Sequence, residues 1–372
     1  MMYSVLTLTG TAAAAEREAF YERFLALPKR LYPRRYRTQD TKAERAVLAG
    51  THPLSGEFTV FPYLVVAGAA DTATADVKRN PTIARCILTY YPDDPAAYVG
   101  FFESYCDKDA CRALLSAVEE KARADGKEKL VGPLDASFWI GYRFKTGNFK
   151  EHFTGEPDNL PFYADFWEDC GFTVSERYYS NYLRSPTAAD PSEKWEKRLQ
   201  KALERGYEIR SLERGKFDEA LRDIYRMLVR LYAKFPAFKL ITEKQFVALF
   251  GSLKYVVDYD CVLLGYKDGA LAGFFVCVPN YGTRVDGDLS LRDLPAILRI
   301  RRDCKEYVIL YIGVDRKHLG LGGAFAQTIR EIGQNKGAGS IAALIHEGNS
   351  SGVFFRELTT HTAHYVLLEK AL

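Results

Sequence analysis

Hydrophobic positions recur along this chain in two successive rounds, each mixing the period of strands with that of helices. The first round opens with a helical stretch at Glu16–Leu27. Strand-like apolar runs follow at Phe58–Gly68, Thr82–Tyr91 and Ala97–Ser104. Asp109–Ala124 sets Leu114, Leu115, Val118 and Ala122 on one helix face, and Gly126 ends it. Lys129–Gly132 reads as a strand, Phe162–Cys170 as a helix stopped by Gly171, and Thr173–Leu183 as a strand. A charged helix, Lys194–Glu204, links the rounds. The second round predicts strand Tyr207–Leu212, helix Lys216–Ala233, and helix Thr242–Phe250 with Thr242 as its N-cap. A hairpin then joins Val256–Tyr266 to Ala270–Val278 around Lys267-Asp268-Gly269, followed by helix Leu289–Arg302. Strand Tyr307–Val314, helix Ala324–Gln334, strand Ser340–Ile345, helix Ser350–Leu358 and strand His361–Leu368 complete it. This order predicts an α/β chain with a mixed sheet, built as two tandem modules, 1–185 and 205–372, joined by 186–204.

The segment Tyr307–Ala324, YVILYIGVDRKHLGLGGA, concentrates the chemistry. A strand runs into a charged turn, then Gly320, Gly322 and Gly323, then a helix. Glycines let backbone N–H groups approach an anion, and a helix N-terminus adds unpaired donors and partial positive charge. Arg316 and Lys317 add full charges. The segment lacks the GxxxxGK[ST] of a P-loop. A dinucleotide fingerprint would need a small residue where Phe325 stands, although Glu347 sits where that motif keeps its ribose acid. Such a turn can also be structural only.

Lys317-His318-Leu319-Gly320-Leu321-Gly322 resembles the pyrophosphate loop of the GNAT acyltransferase superfamily, [QR]-x-x-G-x-[GA], with Lys in the first position. The succession strand, glycine loop, helix, strand, Asn349, helix, strand is similar to that family's C-terminal half. The resemblance implies two GNAT-like modules and a bound acyl-coenzyme A, by expectation acetyl-coenzyme A. It places that cofactor against Ile312, Gly313 and Val314, the loop Lys317, His318, Leu319, Gly320, Leu321, Gly322 and Gly323, then Asn349 and Phe355. Many members carry a tyrosine on the following helix as acid for the thiolate; here Phe354 and Phe355 stand there. In the first module the turn after Glu103 has no glycine and carries Asp107 and Asp109, and a carboxylate beside a phosphate is repulsive. That module reads as degenerate toward the cofactor.

The implied reaction is transfer of the acyl group to an amine in a cleft between the modules. Candidates for acid–base work are His346 and Glu347 past the fifth strand, Tyr311 on the fourth and Tyr365 on the last. Gly132–Cys170, with GPLD, YR and EPDN, is similar to uncharacterised bacterial two-module GNAT-like proteins, as is VPNYG at Val278–Gly282. Its Trp139, Tyr142, Arg143, Glu156, Asn159 and Tyr163 are candidates for binding the acceptor. The same residues also suit a loop held by its own aromatics. A non-catalytic acyl-coenzyme A or ligand binder on the same fold is the alternative.

Composition narrows the rest. A net charge of +3 over 372 residues, with no basic stripe, predicts no nucleic-acid and no membrane partner. The expected partner is a small-molecule or peptide amine. Seven cysteines without CxxC and six histidines without HExxH predict no metal site and a reduced, cytoplasmic chain. Oligomeric state has no signature here.

Overall fold

A computed structural model describes residues 2–8, 10–233, 235–288 and 291–372. The first half contains β1 (Tyr3–Thr7), α1 (Ala14–Leu31), α2 (Thr41–Leu48), β2 (Thr59–Ala67), β3 (Thr82–Tyr90) and β4 (Ala96–Ser104). It continues with α3 (Lys108–Ala124), β5 (Lys129–Gly132), β6 (Phe144–Lys145), α4 (Tyr163–Asp169) and β7 (Thr173–Leu183). The connecting helix is α5 (Glu193–Glu204). The second half runs β8 (Tyr207–Ser211), α6 (Phe217–Leu231), α7 (Glu243–Phe250), β9 (Val262–Lys267), β10 (Ala270–Pro279) and α8 (Leu294–Arg302). It ends with β11 (Glu306–Val314), α9 (Leu321–Lys336), β12 (Gly339–His346) and β13 (Thr359–Ala371).

Local chemistry explains the boundaries. Thr242 caps α7 with a full capping box to Gln245, and Asp107 caps α3 by accepting from the Ala110 N–H at 3.0 Å. Three expectations are corrected. The hairpin strand starts at Val262 rather than Val256, because Asp258 turns the chain by accepting from the Asp260 N–H at 3.2 Å. Ser350–Leu358 forms two 3-10 turns rather than a helix; Gly352 and Val353 in mid-segment disfavour a helix. Helix α8 begins at Leu294 rather than Leu289, and residues 289 and 290 of that expectation lie outside the described residues.

The strands form one mixed sheet in the order β1-β2-β3-β4-β5-β13-β7-β12-β11-β10-β9-β8, with β6 on β13. The two last strands have changed places. β13 sits between β5 and β7, whereas β7 pairs with β12 of the other half. Helices α1, α2, α6 and α7 cover one face through a core that spans both halves, with Phe20, Phe24, Val47, Leu221 and Phe246 buried in it. On the other face α3 and α4 cover the first half, and α5 and α9 the second.

Gly100 marks how tightly β4 meets its neighbour. A Cβ there would lie 1.9 Å from the Leu134 carbonyl oxygen, a backbone atom fixed by the Leu134 N–H bond to Val99 O at 2.8 Å. Gly100→Ala is expected to cost about 3 kcal/mol, read as a lower Tm in thermal unfolding. An unchanged Tm would mean that this contact is looser than the fold indicates.

Candidate active site

β11 and β12 run parallel from Glu306↔Gly339 to Ile309↔Ala342 and then separate. The divergence has a cause on each strand. On β10, Val276 faces Tyr311 and Cys277 faces Ile309, so Leu310 is a bulge. On β12 the register against β7 shifts between Ala342 and Ile345, with Leu344 at φ +55° and its N–H held by Ser180 Oγ at 2.9 Å. Beyond Ile309 the backbone edge of β11 therefore has no partner strand on the β12 side among the described residues.

A cavity of about 690 Å³ fills this opening. Ile309–Ile312 and Ala342–His346 form its two edges, and Asn349, Phe354 and Phe355 close one end. Phe138, Tyr232, Phe235, Leu253, Val256 and Ile297 make its walls predominantly apolar. A second, polar chamber of about 380 Å³ adjoins it, sharing Tyr142, Arg143, Tyr311, Leu344 and Asp286.

The glycine turn lies at the closed end. Gly320 takes φ +107°, a conformation that favours glycine, and faces open space. Helix α9 starts directly after it, so Gly322 and Gly323 belong to its first turn, which contains no acidic residue. A Cβ on Gly322 would lie 3.1 Å from Phe354 and 3.8 Å from Ile312, both of which line the cavity. The helix start and the cavity are thus contiguous. Arg198 of α5 reaches Gly323, where a Cβ would meet its side chain. His318 Nδ1 is 2.8 Å from the Tyr207 hydroxyl, and Leu319 is exposed.

In the matching place of the first half the chain supplies its own carboxylates. β4 and β5 also diverge, after Tyr98↔Val131. There the Phe101 N–H donates to the Asp135 carboxylate. Asp107 sits on the N-terminus of α3 and accepts from the Tyr3 hydroxyl. A carboxylate of the protein occupies the position an external anion would take.

A solved structure described as a tandem GNAT protein from the clavulanic acid biosynthesis pathway matches 100% of this chain and 98% of its own, at 13% identity and a TM-score of 0.51. This chain has the tandem GNAT fold. No family model matches its sequence. In sequence, it is 24% identical over 284 residues to a Caulobacter vibrioides protein named bacterial ceramide synthase, covering 74% of this chain and 71% of that one. It is 23% identical over 189 residues to Escherichia coli protein YghO, 49% of this chain and 47% of that one.

On this GNAT frame the candidate residues separate. His346, Tyr311, Ile312, Asn349 and Phe355 line the apolar cavity together with Trp139, Tyr142 and Arg143. His346 Nε2 lies 2.6 Å from Glu176 Oε2, and its ring packs on Tyr178 and Phe235. Glu176 comes from β7, the exchanged strand, and had no signal in the sequence. Burial raises the Tyr311 hydroxyl pKa above that of an ordinary phenol. Arg143, only 9% exposed, lies between the rings of Tyr142 and Tyr178 at 3.8 and 4.4 Å and donates to Leu344 O at 3.3 Å. Its Nε is buried without a partner.

Other candidates lie elsewhere or are engaged in the structure. Glu347 is exposed beyond the cavity. Tyr365 is buried away from it and donates to Glu156, which also pairs with Lys145 at 2.9 Å. Asn159, which lines the polar chamber together with Glu156, holds both backbone groups of Lys145, at 2.7 and 3.1 Å. Tyr163 is buried, donating to Glu103 at 2.7 Å and accepting from the Ser104 N–H at 2.9 Å. Gly313 lets the Phe274 ring approach the strand, and Val314 packs in the core beside α9; neither faces the cavity.

Of the acids of the polar chamber, sequence reasoning picked out Glu156 and missed the others. Burial pushes Glu103, Asp135, Asp158 and Asp286 each up to about 7. Asp286 accepts from the Gly155 N–H at 2.9 Å through Oδ1, and its Oδ2 is buried without a partner. Such groups favour an incoming cation, which would recover the ionised form.

Proposed function

We propose that the chain is an acyl-coenzyme A-dependent N-acyltransferase acting with long hydrocarbon chains, joining an acyl group to a long-chain amine. The observation that carries this reading is the apolar cavity of about 690 Å³ between the diverging strands, running from the glycine-started helix to His346. That volume lies in the roughly 300–1,000 Å³ range of sites for whole small molecules, and away from the cofactor end at Ile312, Asn349 and Phe355 its walls stay predominantly apolar. The similarity to a protein named ceramide synthase supports the same reading, since a ceramide is the amide of a fatty acid with a long-chain amino alcohol.

The residues present fit coenzyme A: a left-handed glycine facing open space, a helix start without acids, and Arg316, Lys317 and Arg198 around it. When bound it supplies an acyl thioester. Gly320–Gly322 and the start of α9 hold its pyrophosphate. The open edge of β11 at Leu310–Ile312 offers N–H groups to the thioester carbonyl oxygen, where charge develops. His346 donates Nε2–H to Glu176, so Nδ1 is left to take the proton from the amine as the C–N bond forms. Tyr311, kept protonated by burial, would be the donor for the thiolate that leaves. The carboxylates of the polar chamber would draw in a protonated amine and take one of its protons, so that it reaches His346 neutral, with Arg143 at the junction beside its polar substituents.

The test is thiol release with acyl-coenzyme A of rising chain length against short amines and long-chain amino alcohols. We expect KM to fall as the chains lengthen. Turnover of acetyl-coenzyme A with short amines only would overturn the long-chain assignment. Binding of acyl-coenzyme A with no turnover across the panel would leave the non-catalytic binder.

A further inference from the structure

The apolar cavity opens to the outside beneath α8, and this mouth is built unlike the rest of the surface. Leu291, Leu294 and Leu298 are 84%, 46% and 62% exposed, and Tyr255 beside them is 66% exposed. No residue of α8 is buried, although Leu294, Ile297 and Leu298 line the cavity rim together with Tyr255 and Arg301. Water does not favour such a cluster on an isolated chain, and contiguous exposed apolar groups mark an interaction site.

Cations ring the leucines. Arg299, Arg301 and Arg302 lie in the last turn of α8. Arg301 donates to Tyr255 O at 3.2 Å, and Lys254 sits over the Tyr255 ring at 5.5 Å. Arg34, with exposed Arg35 beside it in sequence, reaches Asp293 at 3.3 Å. The two acids at the ends of the helix are engaged: Asp293 with Arg34, and Asp303 with Lys305 at 2.7 Å. A short helix with leucines outward and arginines around them is the pattern of an element lying in the headgroup region of an anionic bilayer. Among the described residues no helix is long and apolar enough to cross a membrane, so contact through α8 would be peripheral.

We infer that α8 and its flanking residues dock the protein on an anionic lipid surface, with the cavity mouth facing the bilayer. This goes beyond the proposed reaction and gives a long-chain amine a path from the membrane into the cavity without crossing water. The choice of a lipid surface over a protein partner rests on charge complementarity and on the continuity of the patch with an apolar cavity.

The experiment is flotation of the full chain with vesicles of phosphatidylcholine alone and of phosphatidylcholine mixed with phosphatidylglycerol. We expect binding to the mixed vesicles, weakening as salt is raised. Arg299→Glu/Arg302→Glu should bind at least about tenfold more weakly, since each basic residue near such a surface contributes about fivefold. Leu291→Asp should also weaken binding. Both variants should keep the Tm shift given by acyl-coenzyme A, which separates this surface from the cofactor site. Failure of that shift in the unaltered protein would overturn the proposed reaction and leave the surface standing. No binding to either vesicle, or equal binding by the variants, would overturn the docking surface. So would a self-associated form in gel filtration that Leu291→Asp dissolves, because the patch would then serve a second copy of the chain.

Discussion

His346→Ala is expected to lower kcat by about 10²–10⁴-fold while leaving the affinity for acyl-coenzyme A unchanged. The expectation follows from position. His346 closes β12 where that strand has left β11, lines the cavity that reaches the glycine turn, and has Nε2 2.6 Å from Glu176. A carboxylate on one ring nitrogen fixes the tautomer and leaves the other nitrogen free to accept a proton. Glu176→Gln should therefore also reduce kcat, by less, since the imidazole remains while its orientation and charge support are altered. The two losses should not add in the double variant, because they report on one unit. Stopped thiol release at saturating substrates measures all three. A His346→Ala enzyme with unaltered kcat would remove the base from this site. A His346→Ala chain that also loses cofactor affinity would show that the ring is needed for packing on Tyr178 and Phe235 instead.

The dyad also shows what was legible in the sequence and what was not. Period and capping chemistry are local, so β5, β7 and the Thr242 cap were readable from neighbours in the chain. The glycine turn was readable for the same reason, since φ +107° at Gly320 leaves few alternatives to glycine. The pairing of β7 with β12, and of β13 with β5, is set by contacts between residues far apart in sequence. Nothing in the alternation of Thr173–Leu183 says which half it will join, so Glu176 gave no signal as the partner of His346. Arg198 failed in the same way: a charged helix reads as a linker until α5 is laid along α9. Tyr365, Asn159 and Tyr163 were polar residues in promising segments, but their polar atoms are used inside the protein, where leaving them unpaired would be costly. The net charge of +3 likewise averages over the arginines around α8.

Gly322→Glu is the change with the largest expected effect on cofactor affinity. It places a carboxylate in the first turn of α9, in contact with Phe354 and Ile312 at the end of the cavity. The first half shows a related arrangement two positions earlier: Asp107 is the N-cap of α3, the place Gly320 holds in α9. There the carboxylate satisfies the donors that an external phosphate would use, and a helix N-terminus welcomes it. The variant should therefore lose coenzyme A, with a Tm lowered by the carboxylate buried beside Phe354. Displaced charge-assisted hydrogen bonds are worth about 1.5–3 kcal/mol, and a like charge close to the pyrophosphate adds about 1 kcal/mol or more. Together these weaken binding by at least about 100-fold. Gly322→Ala separates charge from bulk. Its Cβ would lie 3.1 Å from the end of the Phe354 ring, which has to shift by only a few tenths of an ångström, so most of the affinity should remain. Calorimetry on the unaltered chain should give one site, because in the first half Asp107 caps α3 and the Asp135 carboxylate takes the Phe101 N–H, where an anion would be repelled. Two sites, or undiminished binding by Gly322→Glu, would move the cofactor away from this turn. Loss of binding in both variants with one site in the parent would instead assign the effect to space beside Phe354 rather than to charge at the helix start.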